Sequence, residues 1–223
     1  MKLVLMSFAN TEVITQKIIE LAGKPANEIK IAIINEATLP VLEESGAAGW
    51  ILDSFASLRE HFTNEIYMCN FLSLSLEENV KRINKADVIW VLGGNTDYLK
   101  LVFEKSGFEK YLPEMLETKV WVGSSAGSCI LGKRGNEEFF ALYEEKPYAE
   151  VKEYYGFVNG IIYPHTEWFT NAFDICTKES KANRNVAIYS LSDKSALIVE
   201  DGKTYLIGEN AQKFVNGEVV EKI

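Results

Sequence analysis

Along the first half of the chain, short, mostly apolar runs alternate with longer stretches whose apolar positions recur every three or four residues. Leu3 to Phe8, Ile29 to Asn35, Glu65 to Leu72, Val88 to Leu92 and Val120 to Gly123 are of the first kind. They read as strands, and Ile29 to Asn35 is the continuous apolar run expected of a parallel strand covered on both faces. Helical spacing marks Thr11 to Ala22, Leu42 to Phe62, Asp97 to Glu104 and Phe108 to Glu117. A further helix opens at Ser75, where Ser-Leu-Glu-Glu resembles a capping arrangement. Strand and helix alternating through short breaks predict an α/β fold, a mostly parallel sheet with helices on both faces.

The second half is richer in strands. Ile161 to His165, Ser195 to Glu200 and Thr204 to Ile207 are predicted strands, and Asp201-Gly202 and Asn216-Gly217 are hairpin turns. Lys133 to Tyr155, charged and Tyr-rich, reads as a loop or irregular insertion near the site. With no repeat and no linker, residues 1–223 are expected to form a single domain.

Composition removes several function classes. An apolar fraction of 47% supplies a large core, which excludes disorder. A net charge of −9 argues against a nucleic-acid backbone as partner. No apolar run is long enough to span a membrane, and the N-terminal run is too short for a signal peptide. Cys69, Cys129 and Cys176 form no Cys-x-x-Cys, so they read as reduced thiols in a cytoplasmic protein.

The chemistry centres on Gly123-Ser124-Ser125-Ala126-Gly127 at the end of the fifth strand. Gly-x-Ser-x-Gly between strand and helix is the pattern of a nucleophile elbow, a sharp turn that lifts one hydroxyl to the top of a sheet. Small residues are needed because the following helix must approach the strand closely. Ser125 requires a base, since a free hydroxyl is a poor nucleophile at neutral pH. Of the two histidines, His61 lies among charges at a helix end, whereas His165 ends a strand after Tyr163-Pro164. His165 is therefore the expected base. The carboxylate that would hold its imidazole is open among Glu167, Asp174, Asp193, Glu200 and Asp201. The oxyanion donors are expected to be the amides of Ala126, next to the nucleophile, and Gly94, in the turn after the fourth strand. Asn95 in the same turn is a candidate substrate-binding residue. Neither a phosphate-binding Gly pattern nor a cluster of metal ligands is present, so no cofactor and no metal are expected.

VIWVLGGNT, VWVGSSAGS, IIYPH and LSDKSALIVEDG, in that order, resemble the serine peptidase family of dipeptidase E and cyanophycinase. The resemblance spans about residues 29 to 207. It implies a flavodoxin-like sheet similar to class I glutamine amidotransferase domains, with serine where those carry cysteine. It also implies Ser125 as nucleophile, His165 as base, Gly94 and Ala126 as oxyanion donors, and Asp193 as the acid just before SALIVE. The activity implied is hydrolysis of short peptides through an acyl-enzyme. Dipeptidase E holds an amino-terminal aspartate with a basic residue between the His and the acid. Here Arg184 is the interval's sole arginine and matches no motif, so aspartyl specificity is not implied. Two other readings share the fold: an amidase or esterase acting on non-peptide substrates, and a non-catalytic ligand-binding domain. The aromatic residues Phe139, Phe140, Tyr143, Tyr148, Tyr154 and Tyr155 are expected to pack structurally, to line a cleft or to bury a homodimer contact.

Overall fold

The computed structural model describes residues 1–41, 47–143, 148 and 150–223. The predicted start of a helix at Leu42, residues 144–147 and 149 of the predicted insertion, and the side chain of Phe139 lie outside the described residues. The first half runs β1 (Lys2–Met6), α1 (Glu12–Ala22), β2 (Ile31–Ile34), α2 (Ala47–His61), β3 (Ile66–Met68) and α3 (Leu76–Lys85). It continues through β4 (Val88–Val91), α4 (Thr96–Ser106), α5 (Leu112–Thr118), β5 (Val120–Ser124) and α6 (Ala126–Cys129). The rest comprises α7 (Glu137–Leu142), β6 (Gly160–Tyr163), α8 (Ala172–Ala182), β7 (Ala187–Ser190), β8 (Ser195–Glu200), β9 (Lys203–Gly208), β10 (Gln212–Val215) and β11 (Glu218–Lys222).

These strands form two sheets. The larger has the order β3-β2-β4-β5-β1-β8-β9, parallel from β3 to β1 and antiparallel at β8 and β9. Its strands alternate between two apolar layers. Leu3, Leu5, Ile89 and Val91 face Ile83 of α3, Leu99 and Phe103 of α4, and Leu112 of α5. Val4, Met6, Val88 and Trp90 face Ile14 and Ile18 of α1 and Leu58 of α2. Each such aliphatic side chain contributes about 1.5–3 kcal/mol by leaving water, which explains why both faces are covered. Capping follows the sequence: Thr11 Oγ1 accepts the Ile14 N–H, Ser75 Oγ accepts the Glu78 N–H, and Gly23 ends α1 at φ 67°.

The smaller sheet, in the order β11-β10-β7-β6, carries the C-terminal hairpin at Asn216-Gly217. Its residues Ile162 and Tyr189 join the same core as α3, α4 and α5. Two predicted elements change. The third strand stops at Met68 because Asn70 organises a turn, its Oδ1 accepting the N–H groups of Leu72 and Ser73. The insertion predicted as irregular contains α7. No helix among the described residues is long and apolar enough to cross a membrane.

Register sets the working edge of the molecule. Met6 pairs with Ser124, Val91 with Gly123, and Met6 with Ala196 of the antiparallel β8. Ser7, Gly93-Gly94, Ser125 and Asp193 therefore emerge at one edge, where ligands meet open α/β sheets. Just after β2 lies Glu36, 1% exposed, whose Oε1 accepts the Phe71 N–H at 2.5 Å while Oε2 has no hydrogen-bond partner among the described residues. Burial raises its pKa above the ordinary carboxylate value, against backbone N–H groups that favour the charge. The folded state thus holds the proton more tightly, and stability falls as pH rises from 4.5 through the raised folded value. Glu36→Gln is expected to remove that part of the slope, so that its thermal midpoint gains on the wild type as pH rises.

Candidate active site

The elbow is built by close approach. A Cβ on Gly123 would lie 2.2 Å from the Gly127 carbonyl oxygen, and one on Gly127 would lie 2.3 Å from that of Val91. Trp121 Nε1–H donates to the Gly127 carbonyl at 2.9 Å and the Ser128 hydroxyl bonds back to β1 and β5, tying α6 to the strands. Ser125 is forced to φ 47° and ψ −109°, a strained conformation that presents its hydroxyl at the sheet edge. Its N–H donates to the Met6 carbonyl at 3.1 Å, fixing the turn against β1.

His165 follows β6 and reaches this hydroxyl from the smaller sheet, with Nε2 3.1 Å from Ser125 Oγ. Its Nδ1 lies 2.5 Å from Asp193 Oδ1, at the loop leading into β8. The structure therefore brings Ser125, His165 and Asp193 into one hydrogen-bonded chain. Among the described contacts none of the other acids meets the imidazole: Glu167 stands beside Asp193, its Oε1 accepting the Asp193 N–H at 2.6 Å, while Asp174 is exposed on α8, Glu200 pairs with Lys17, and Asp201 occupies a hairpin turn. His61 ends α2, remote from this edge in sequence and element.

Gly94 adopts φ 124° and packs so tightly that a Cβ would sit 2.0 Å from the Ala37 carbonyl oxygen. Among the described residues, the N–H groups of Gly94 and Ala126 donate no hydrogen bond. Asn95 caps α4, its Oδ1 accepting the Tyr98 N–H at 2.8 Å and its own N–H donating to Ala37.

The profile of Peptidase family S51 matches residues 3–207. The chain belongs to peptidase family S51. It is thus a serine peptidase, a hydrolase acting on peptide substrates. A crystal structure of a candidate peptidase E protein from Listeria monocytogenes EGD-e superposes with a TM-score of 0.69 at 21% identity, covering 93% of this chain and 98% of that one. A peptidase from an acI-B1 Actinobacterium superposes at 0.66 with 16% identity, covering 98% of this chain and 96% of the other. At those identities the likeness carries the fold. No curated protein matches the chain.

Two neighbours of the Ser125–His165–Asp193 cluster carry no motif that signals it in the sequence pattern. Ser7, fully buried after β1, accepts the His165 N–H through Oγ at 2.8 Å and donates to Asp193 Oδ1 at 3.3 Å. His165 sits at φ 55°, uncommon for a residue with a side chain, so the Ser7 contact fixes a strained backbone as well as a carboxylate. Trp168 stacks on the imidazole, ring centroids 4.2 Å apart at 22°, and its Nε1–H donates to Asp193 Oδ2 at 3.0 Å. Ser7 was signalled only by its position, a hydroxyl directly after a strand at the carboxyl edge. Ser7→Ala leaves a buried N–H unpaired and loosens the His165–Asp193 pair. It is expected to lower kcat about 10- to 100-fold and stability by about 1–3 kcal/mol, measured by steady-state kinetics and chemical denaturation.

A pocket runs from Ser125 along Cys129 to Ile162 and Tyr163 of β6, with Phe140, Tyr143 and Tyr154 on its sides. The buried Asp97 braces this wall, accepting from Arg134 Nη2 at 3.0 Å and from the Tyr154 hydroxyl at 2.8 Å. Arg184 lies exposed in the turn before β7, at the end of the smaller sheet opposite His165.

Proposed function

We propose that this serine peptidase hydrolyses short peptides through Ser125, His165 and Asp193. The observation carrying the reading is the chain from Ser125 Oγ to His165 Nε2 at 3.1 Å and from Nδ1 to Asp193 Oδ1 at 2.5 Å. Ser125 Oγ attacks the scissile carbonyl while His165 Nε2 takes its proton. Asp193 holds the tautomer with hydrogen on Nδ1 and stabilises the imidazolium as it forms. The N–H groups of Gly94 and Ala126 receive the negative oxygen of the tetrahedral intermediate. His165 then returns the proton to the leaving amine, and water, deprotonated by His165, hydrolyses the acyl-enzyme.

The pocket beside Ser125 is lined by Phe140, Tyr143, Tyr154, Ile162 and Tyr163 and is read as the place of the acyl side of a short substrate. The placement of Arg184 supports a preference other than amino-terminal aspartate. Because Ser125 comes from the large sheet and His165 from the small one, residues 1–223 are read as one peptidase unit. Three free thiols accord with a reducing, cytoplasmic setting.

The test is mass spectrometry of a mixed short-peptide library, together with labelling by a fluorophosphonate. Peptide cleavage and a single phosphonyl adduct on Ser125 are expected. An adduct without cleavage of any peptide would move the substrate to a non-peptide amide or ester, and an adduct elsewhere would displace Ser125.

A further inference from the structure

Two recesses meet at Ser125, and the base distinguishes them. The pocket toward Ile162 and Tyr163 does not include His165 in its lining. The second is a groove formed by Phe8, Val41, Trp50 and Trp168 that includes both Ser125 and His165. The group that departs from the acyl-enzyme must take its proton from His165 Nε2, so the leaving residue lies on the side of Ser125 where the imidazole stands. That side is the aromatic groove. The acyl portion then occupies the other pocket.

The groove's chemistry is one-sided. Apart from His165 and Tyr143, whose hydroxyl donates to the Pro164 carbonyl, its lining among the described residues is apolar or small, and beyond His165 it carries no titrating side chain near neutral pH. Trp168 is 58% exposed and Phe8 37% exposed at its rim. Trp168 already spends one ring face on His165 and its N–H on Asp193, so what remains open to a ligand is hydrocarbon. Exposed aromatic surface beside reacting atoms is stabilised when an apolar group covers it.

From this placement we infer that Phe8, Trp50 and Trp168 form a leaving-group subsite selecting peptides with an apolar residue immediately after the scissile bond. The inference rests on the peptidase reading above for its orientation. Trp50, on α2, has no hydrogen bond from its side chain to the catalytic residues among the described contacts, and its loss probes the groove without touching the proton relay.

The experiment is titration calorimetry on the Ser125→Ala protein, which binds without turnover, using Ala-Phe and Ala-Gly so that the acyl residue is constant. Ala-Phe is expected to bind about tenfold more tightly than Ala-Gly. In Ser125→Ala carrying Trp50→Ala, and separately Phe8→Ala, that preference is expected to shrink to about threefold or less. Folding of each variant is checked by its thermal melt, and Phe8→Ala, altering a surface side chain, serves if Trp50→Ala unfolds. Equal binding of the two dipeptides, or a preference unchanged in both variants, overturns the subsite. Wild-type turnover of the same dipeptides is read separately. Cleavage with no binding preference removes the subsite and keeps the peptidase reading. A preference sensitive to Trp50 or Phe8 with no cleavage removes the peptidase reading and keeps the groove as an apolar-residue site.

Discussion

Ser125→Ala is expected to lower peptide turnover on the order of a millionfold while leaving the thermal midpoint close to that of the wild type. The two halves of this result have different causes. Under the proposed mechanism, removing Oγ removes the group that forms the acyl-enzyme and leaves His165 and Asp193 nothing to activate, so the loss approaches that of deleting the whole relay. Among the described residues the Ser125 hydroxyl has one polar partner, His165 Nε2 at 3.1 Å, whereas the turn itself is held by the Ser125 N–H on Met6 and by the close contacts of Gly123 and Gly127. Alanine keeps those backbone contacts and meets the same strain at φ 47°. Kinetics and a thermal melt on one preparation check both halves. A variant retaining wild-type turnover would remove Ser125 from the chemistry.

The elbow was legible because its constraint is local: small residues recur where backbones touch, and sequence spacing alone displays them. The parallel strands were legible for a related reason, since burial on both faces makes unbroken apolar runs such as Val88 to Leu92. What those runs do not carry is partnership. Ile161 to Tyr163 looks like any strand of the large sheet, yet it pairs with β7 in a second sheet, and strand order depends on contacts that no local pattern encodes. α8 was missed because its buried face includes Glu179 and Ser180, which interrupt the apolar stripe. Glu179 is accommodated there by the Tyr163 hydroxyl, a contact made only after folding. Ser7 and Trp168 escaped for the same reason. Ser7 meets His165 across 158 residues of chain, and only the assembled edge turns a strand-end serine into part of a site.

These same contacts determine how a nearly isosteric change at the acid should act. Asp193→Asn is expected to lower kcat about ten-thousandfold with much smaller change in KM. Both carboxylate oxygens of Asp193 face donors, Oδ1 toward His165 Nδ1 and Oδ2 toward Trp168 Nε1–H. An asparagine has only one oxygen for these two positions. Turning it toward His165 sets its amide N–H against the indole N–H, two donors facing each other. Turning it toward Trp168 satisfies the indole but presents an N–H to Nδ1, which places the imidazole hydrogen on Nε2. In that tautomer Nε2 cannot accept the Ser125 proton, and turnover stops. The indole therefore biases the amide toward the inactive arrangement. Adding Trp168→Phe removes that bias while keeping an aromatic ring beside the imidazole, so the double variant should recover part of the activity lost in Asp193→Asn alone. Steady-state kinetics of the two single variants and the double variant test this coupling. Losses that simply multiply would show that Trp168 does not govern the orientation of the group at position 193.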